Sequence, residues 1–296
     1  MNWDSATTRY VVYLRAGARS PRTIANRLEL LRVLRERTGT ASPLDVTSDH
    51  LLAHIGRGIQ PSSMQREGSD LRSFFGFLVA RGIRDDDPSL ELPKVRVPRG
   101  KPRPYSLEQI ERMLASGAYF RSRVMILLGY LHGLRAHEIA KFHGRDVLLD
   151  RNQVRVLGKG AKTRYVPLHP LLRALVPQLP SNDYWFPSRG GRRERGIPHI
   201  AAGSVSDVLR QAKLRAGINE PGRTGHSLRH AFATQLLLSG ADIRAVQEML
   251  GHASLASTQI YTGVNDEHLA KEHSKLPSVE VPPISGRCKP PTPIAA

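Results

Sequence analysis

Between Pro93 and Pro104 the chain reads Pro-Lys-Val-Arg-Val-Pro-Arg-Gly-Lys-Pro-Arg-Pro, and no other stretch restricts the possible folds as strongly. Proline lacks an N–H and fixes φ, so four prolines in this segment rule out a helix or a central strand. Five cations with no acid keep it extended and hydrated. The chain therefore divides into a first domain over residues 1–92, a linker over 93–104 and a second domain over 105–276. Residues 277–296, with six prolines, read as a disordered tail.

Residues 1–92 show helical periodicity and no strand alternation. Ser5-Ala6-Thr7 is expected to cap a helix to Leu14, with Tyr10, Val11 and Leu14 on one face. Ser20-Pro21 opens a longer one, in which Ile24, Leu28, Leu31 and Leu34 recur at helical spacing and Gly39 closes the helix. Thr47 caps a third around Leu51 to Ile55. Ser62-Ser63 starts a fourth, whose Leu71, Phe74, Phe75, Leu78 and Val79 form an apolar stripe up to Gly82. That phenylalanine cluster reads as core rather than as a base-stacking platform.

The second domain opens at Ser106-Leu107-Glu108-Gln109, a capping pattern, and continues with a buried helix from Arg121 to Leu131 and another from Ala136 to Phe142. The period then changes. Val147-Leu148, Val154-Arg155-Val156 and Arg164-Tyr165-Val166 are short strands separated by turn residues, a small antiparallel β-meander in a mainly α-helical chain. Residues 190–196 form an Arg-rich flexible loop, and helices resume near Gly203, Ser227–Leu238, Ile243–Leu250 and Leu255–Tyr261.

Charge narrows the partner. The 296 residues include 44 Lys+Arg and 26 Asp+Glu, a formal net charge of +18. Residues 1–104 and 105–296 are both basic, so the charge is not that of a tail. Arginine supplies most of it, and guanidinium forks match phosphate oxygens, which points to nucleic acid. The linker suits a chain crossing a DNA backbone, although an ordinary solvated connector has the same composition. No run approaches a membrane span, no secretory signal is present, and the lone Cys288 excludes a disulfide framework, so the expected location is cytoplasmic.

Four local patterns carry chemistry. They are Gly133-Leu134-Arg135-Ala136-His137-Glu138, Gly158-Lys159-Gly160-Ala161-Lys162-Thr163-Arg164, His226-Ser227-Leu228-Arg229-His230, and Leu250-Gly251-His252 followed by Tyr261. Arginines stabilise charge developing on a phosphoryl group, histidines donate or shuttle protons, and an activated phenol can attack in line. His137-Glu138 lacks the second histidine of a zinc-protease helix, since Lys141 stands there, and no P-loop spacing occurs. No metal, nucleotide or other cofactor is expected.

Taken together the patterns resemble the tyrosine recombinase family, which includes the phage integrases and Xer-type recombinases. Ser20-Pro21, Leu71-Arg72-Ser73-Phe74-Phe75 and Asp87-Pro88 resemble its helical core-binding domain. Gly158–Pro167 resembles its β-hairpin, and Leu250 to Thr262 its nucleophile segment. The resemblance implies a two-domain clamp closing round duplex DNA, and site-specific cleavage and rejoining through a 3′-phosphotyrosine. It implies Tyr261 as nucleophile, Arg135 and Arg229 as phosphate clamps, and His226 and His252 as donors. Lys159 is the implied general acid, in competition with Lys162 and Arg164. Glu138 becomes a partner that orients a site residue, and His230 a local packing residue. The implied partners are double-stranded DNA carrying recombination sites and further copies, as a homo-tetramer on two sites or a hetero-tetramer with a related recombinase. The helical pattern around His268-Leu269-Ala270, with few evident core partners, is expected to dock on a neighbouring protomer. A type IB topoisomerase-like relaxer and a non-catalytic DNA-binding regulator on the same scaffold are the alternatives.

Overall fold

A computed structural model of the chain describes residues 1–97, 103–116, 119–158, 163–188, 191, 196–251 and 266–282. The chain forms two compact units, Met1–Gly100 and Lys101–Ala296. The expected Arg-rich loop lies almost wholly outside the described residues, as does the expected helix at Leu255–Tyr261.

The first unit packs helices α1 (Trp3–Ala16), α2 (Pro21–Thr38), α3 (Ser48–Ile55) and α4 (Pro61–Ala80) round one core. Local chemistry sets the ends. Ser20 accepts a hydrogen bond from the Thr23 amide with Pro21 in the first turn, and Gly39 closes α2 in the left-handed region at φ 65°. Helix α1 begins earlier than expected, because the Asn2 side chain accepts from the Ser5 amide and caps it there. Trp3 stacks on Phe74 at 6.2 Å between ring centroids, and Tyr10 donates or accepts across 2.8 Å to the Ser73 hydroxyl. The stripe on α4 differs in one place: Phe77 is buried while Val79 is exposed, since Phe77 meets Tyr10 and Tyr13 of α1.

The second unit is built round α6 (Phe120–Leu131), whose side chains are almost all buried, with α5 (Leu107–Ala115) and α7 (Ala136–Ala140) against it. Strands β1 (Val147–Leu148), β2 (Gln153–Leu157) and β3 (Thr163–Pro167) form the antiparallel meander in the order β1-β2-β3, with Val154 opposite Val166 and Val156 opposite Arg164. A short helix α8 (Pro170–Leu175), unrecognised in the sequence, follows because His169 accepts from the Leu171 amide and Leu172 enters the core. Helices α9 (Ala202–Arg215), α10 (Gly225–Leu238) and α11 (Ile243–Leu250) complete the body.

The C-terminal region departs from expectation twice. Helix α12 (Asp266–Ser274) has partners within its own chain: Leu269 and His273 are buried, the His273 Nε2 bonds the Leu131 carbonyl at 2.7 Å, and Glu272 accepts from the Asp242 amide at 2.6 Å. The chain itself therefore supplies core partners that the sequence pattern did not reveal. Residues 277–282 are packed rather than disordered. Tyr130 donates from its hydroxyl to the Pro277 carbonyl at 2.9 Å, Val279 is buried, and Arg123 bonds the Pro282 carbonyl. Prolines exclude a helix there but allow an extended strap whose carbonyls take donors from α6. Among the described residues no helix is long and apolar enough to cross a membrane.

Candidate active site

Arg135 stands at the start of α7, and Glu138 lies one turn further on. The carboxylate folds back on the helix start: it accepts from the Arg135 amide at 2.8 Å and from the Arg135 guanidinium at 3.1 Å. An acid at the third position of a helix satisfies an otherwise open N–H and meets the positive end of the helix dipole. Arg164 of β3 approaches from the other side and grips both carboxylate oxygens, at 2.8 and 2.9 Å. The Glu138 side chain is 1% exposed and that of Arg164 9%, whereas Arg135 keeps 27% and so retains donors for a ligand. Burial alone would push the Glu138 carboxyl up, but the bonds and charge of Arg164, with those of Arg135, hold it at about 2.

Arg229 arrives from α10. Its guanidinium donates to the Gly133 carbonyl at 2.7 Å and to the Leu250 carbonyl, which fixes it between the turn before α7 and the end of α11. Burial, then the neighbouring Arg135 and Arg164, lower its pKa to about 9, so it remains charged at neutral pH. Three guanidiniums face one carboxylate here, an excess of positive charge held in place before any substrate arrives. Such preorganised cations suit an oxyanion or a transferring phosphoryl group.

Gly133 and Gly251 make this packing possible. Gly133 has φ 62°, and a Cβ there would meet Phe232 at 2.8 Å and Leu250 at 2.9 Å. Gly251, also at φ 62°, would place a Cβ 2.9 Å from the Arg164 side chain.

His226 is exposed in the first turn of α10, where its amide donates to the Thr224 hydroxyl. His230 follows one turn on, with its pKa lowered by burial and by the charges of His226 and Arg229. Arg135, Glu138, His226 and Arg229 are thus the sequence-derived residues that fall on described segments, and the two arginines and the glutamate converge. Lys159, His252 and Tyr261 lie outside the described residues, as does Lys162. Among the described residues no three metal-ligating side chains are grouped to hold an ion.

By sequence Arg164 stands beside the lysines as a rival proton donor. Its guanidinium is instead occupied: both terminal nitrogens hold Glu138, and Nε donates to the Met249 carbonyl at 2.8 Å. One signal in the sequence points to this. Arg164 shares a strand face with the buried Val166, and a charge on a buried face requires a partner.

A cleft of about 530 Å³ opens beside Glu138, with Lys141, His143, Arg145 and Arg155 in its walls. Asp146 in the same wall accepts from Arg155 at 3.0 and 2.9 Å.

Comparison with known proteins agrees with this geometry. The phage integrase family matches residues 105–268. The tyrosine recombinase XerD of Caulobacter vibrioides is 34% identical over 291 residues, spanning 90% of this chain and 93% of that protein. The tyrosine recombinase XerC of Shewanella amazonensis is 33% identical, spanning 91% and 94%. Among solved structures, the integrase from mycobacterium phage Brujita is 31% identical with a TM-score of 0.54, covering 93% of this chain and 94% of its own. A lambda integrase dimer bound to a COC′ core site shares the fold at a TM-score of 0.70 and 17% identity, covering 95% and 81%. The matched span holds Arg135, Glu138, Arg164 and Arg229, and the likeness to the Xer proteins runs across both units; the chain belongs to the phage integrase family and is a tyrosine-type site-specific recombinase.

Proposed function

We propose that this recombinase cuts duplex DNA with Tyr261, whose phenolate attacks a backbone phosphate to form a 3′-phosphotyrosine and release a 5′ hydroxyl. The preformed cluster of Arg135 and Arg229 round Glu138 supports the reading, because fixed positive charge suits the equatorial oxygens of a pentavalent phosphate. Arg135 and Arg229 neutralise the non-bridging oxygens. His226 and His252 donate to them, and His226 takes the phenolic proton. Lys159 protonates the departing 5′ oxygen. The phosphotyrosine conserves the energy of the broken bond, so rejoining runs the same steps in reverse, without ATP.

Residues 1–92 act as the core-binding domain, 93–104 as the linker and 105–276 as the catalytic domain, together closing round DNA within the nucleoid. Four copies act on two sites; a related lambda integrase is seen as a tetramer bound to a Holliday junction. The test begins with randomly sheared genomic duplex DNA. Wild-type protein should give an SDS-resistant adduct, and sequencing of the trapped ends defines the site. Tyr261→Phe should bind that site with unchanged affinity and yield no adduct. An adduct from Tyr261→Phe removes the assigned nucleophile, and relaxation of unpaired sites without exchange would make the protein a relaxer.

A further inference from the structure

We propose that Arg164 is a positioning residue for strand cleavage: it holds Glu138 so that Glu138 can aim Arg135, and it ties this pair to the last turn of α11. The inference rests on the recombinase reading and adds to it a residue that touches no substrate.

The geometry has three parts. Both terminal nitrogens of Arg164 bind the two oxygens of Glu138, and Nε binds the Met249 carbonyl, so one planar group spans β3, α7 and α11. A lysine has a single nitrogen and cannot meet a carboxylate and a carbonyl in that arrangement. The fit is built in from below by Gly251, since a Cβ there would collide with the Arg164 stem. The location matters equally. Arg164 is the second residue of β3, five positions after Lys159 in sequence, and Met249 lies three residues before His252. Arg164 therefore ties the strand that follows Lys159 in sequence and the helix that precedes His252 to the start of α7.

Glu138 is the dependent partner. The charged groups that face it are Arg135 from its own helix start, Arg164 from β3 and Arg229 from α10, with His137 alongside. Arg229 spends donors on two carbonyls, and Arg135 is partly open to solvent. Without Arg164 the buried carboxylate would keep only the Arg135 amide and guanidinium, and burial would raise its pKa. A protonated Glu138 no longer fixes the Arg135 guanidinium, and a displacement of about 1 Å at such a group costs on the order of 100-fold in rate.

The experiment uses full-length protein and a nicked synthetic duplex carrying the site recovered by trapping. Single-turnover adduct formation and DNA affinity are measured for wild type, Arg164→Met, Arg164→Lys and the double variant Arg164→Met with Glu138→Gln. Arg164→Met should cleave about 100-fold more slowly with affinity within about three-fold of wild type. Its rate relative to wild type should climb with rising pH, as Glu138 ionises, and the Glu138→Gln background should remove that climb. A relative rate that is constant with pH, or affinity lost in parallel with rate, overturns the proposal. If Arg164→Met does not fold, Arg164→Lys decides: about 10-fold slower cleavage at retained affinity supports the role, and wild-type cleavage overturns it. A wild-type chain that forms no adduct defeats the recombinase reading itself; an active wild type with an equally active Arg164→Met defeats only the role of Arg164.

Discussion

Arg229 donates a 2.7 Å hydrogen bond to the carbonyl oxygen of Gly133, across 96 positions of sequence. The bond holds a buried guanidinium against the turn that presents Arg135, so the backbone of that turn is part of the site. Gly133→Ala would force an L side chain to φ 62° and drive its Cβ into Phe232 and Leu250. Left-handed strain and overpacking each cost about 1–3 kcal/mol, so denaturant titration should show a loss of roughly 2–6 kcal/mol. Adduct formation should fall more steeply than the folded fraction, because Arg229 loses its register.

The ends of many elements could be read locally. Ser20, Pro21 and Gly39 mark α2 with their own side chains and backbone preferences, and Ser106 with Gln109 closes a capping box at α5. Arg135 and Glu138 were readable as a pair because three residues make one helical turn. Arg164 shows in the strand pattern only as a charge that needs a partner; which partner is not encoded locally, since its third bond reaches the Met249 carbonyl 85 residues away. Helix α12 was misread for the same reason: its partners, Leu131 and Asp242, are supplied by tertiary structure.

Lys159 and Arg229 should separate under a leaving-group test. A departing 5′ alkoxide needs a proton, whereas a 5′-bridging sulfur leaves readily without one. Lys159→Ala should cleave ordinary DNA at least about 100-fold more slowly and recover on the sulfur-substituted strand. Arg229→Ala removes charge stabilisation and should stay impaired on both strands. Rescue of Lys162→Ala, with Lys159→Ala left inactive, moves the acid to the other lysine.

Acid should loosen the C-terminal helix. Burial, with the neighbouring His169 charge, lowers the pKa of His273 from 6.5 to about 4, although its bond to the Leu131 carbonyl acts the other way. The unfolded chain therefore binds a proton that the folded chain refuses between these values. Stability from this group is complete above about pH 6.5 and is lost as pH falls toward 4, by about 3 kcal/mol in all. Thermal melts from pH 7.5 to 4.5 should show the decline, and His273→Gln, which can still donate to Leu131, should show a shallower one. Parallel curves for the two proteins would assign the acid sensitivity to other groups.

Truncation after Gly263 removes α12 and the strap behind it. Leu269, Leu276 and Val279 leave the core with them, and Asp242 and Tyr130 lose hydrogen-bond partners. Burying side chains of this size is worth about 1.5–3 kcal/mol each, so the truncated protein should melt well below the intact chain even as a dilute monomer. An unchanged melting temperature would mean that the helix contributes nothing to its own domain.

The clasp of Glu138 by Arg164 also constrains how such a protein can change over generations. Either residue altered alone strands a buried charge, at a cost of about 3–5 kcal/mol, comparable to much of a domain's whole stability. Descendants that abandon the pair must pass through an intermediate of much lower stability and activity, or replace both residues together. The two positions should therefore be inherited as a unit, drifting in concert while the exposed arginines of the surface turn over one by one.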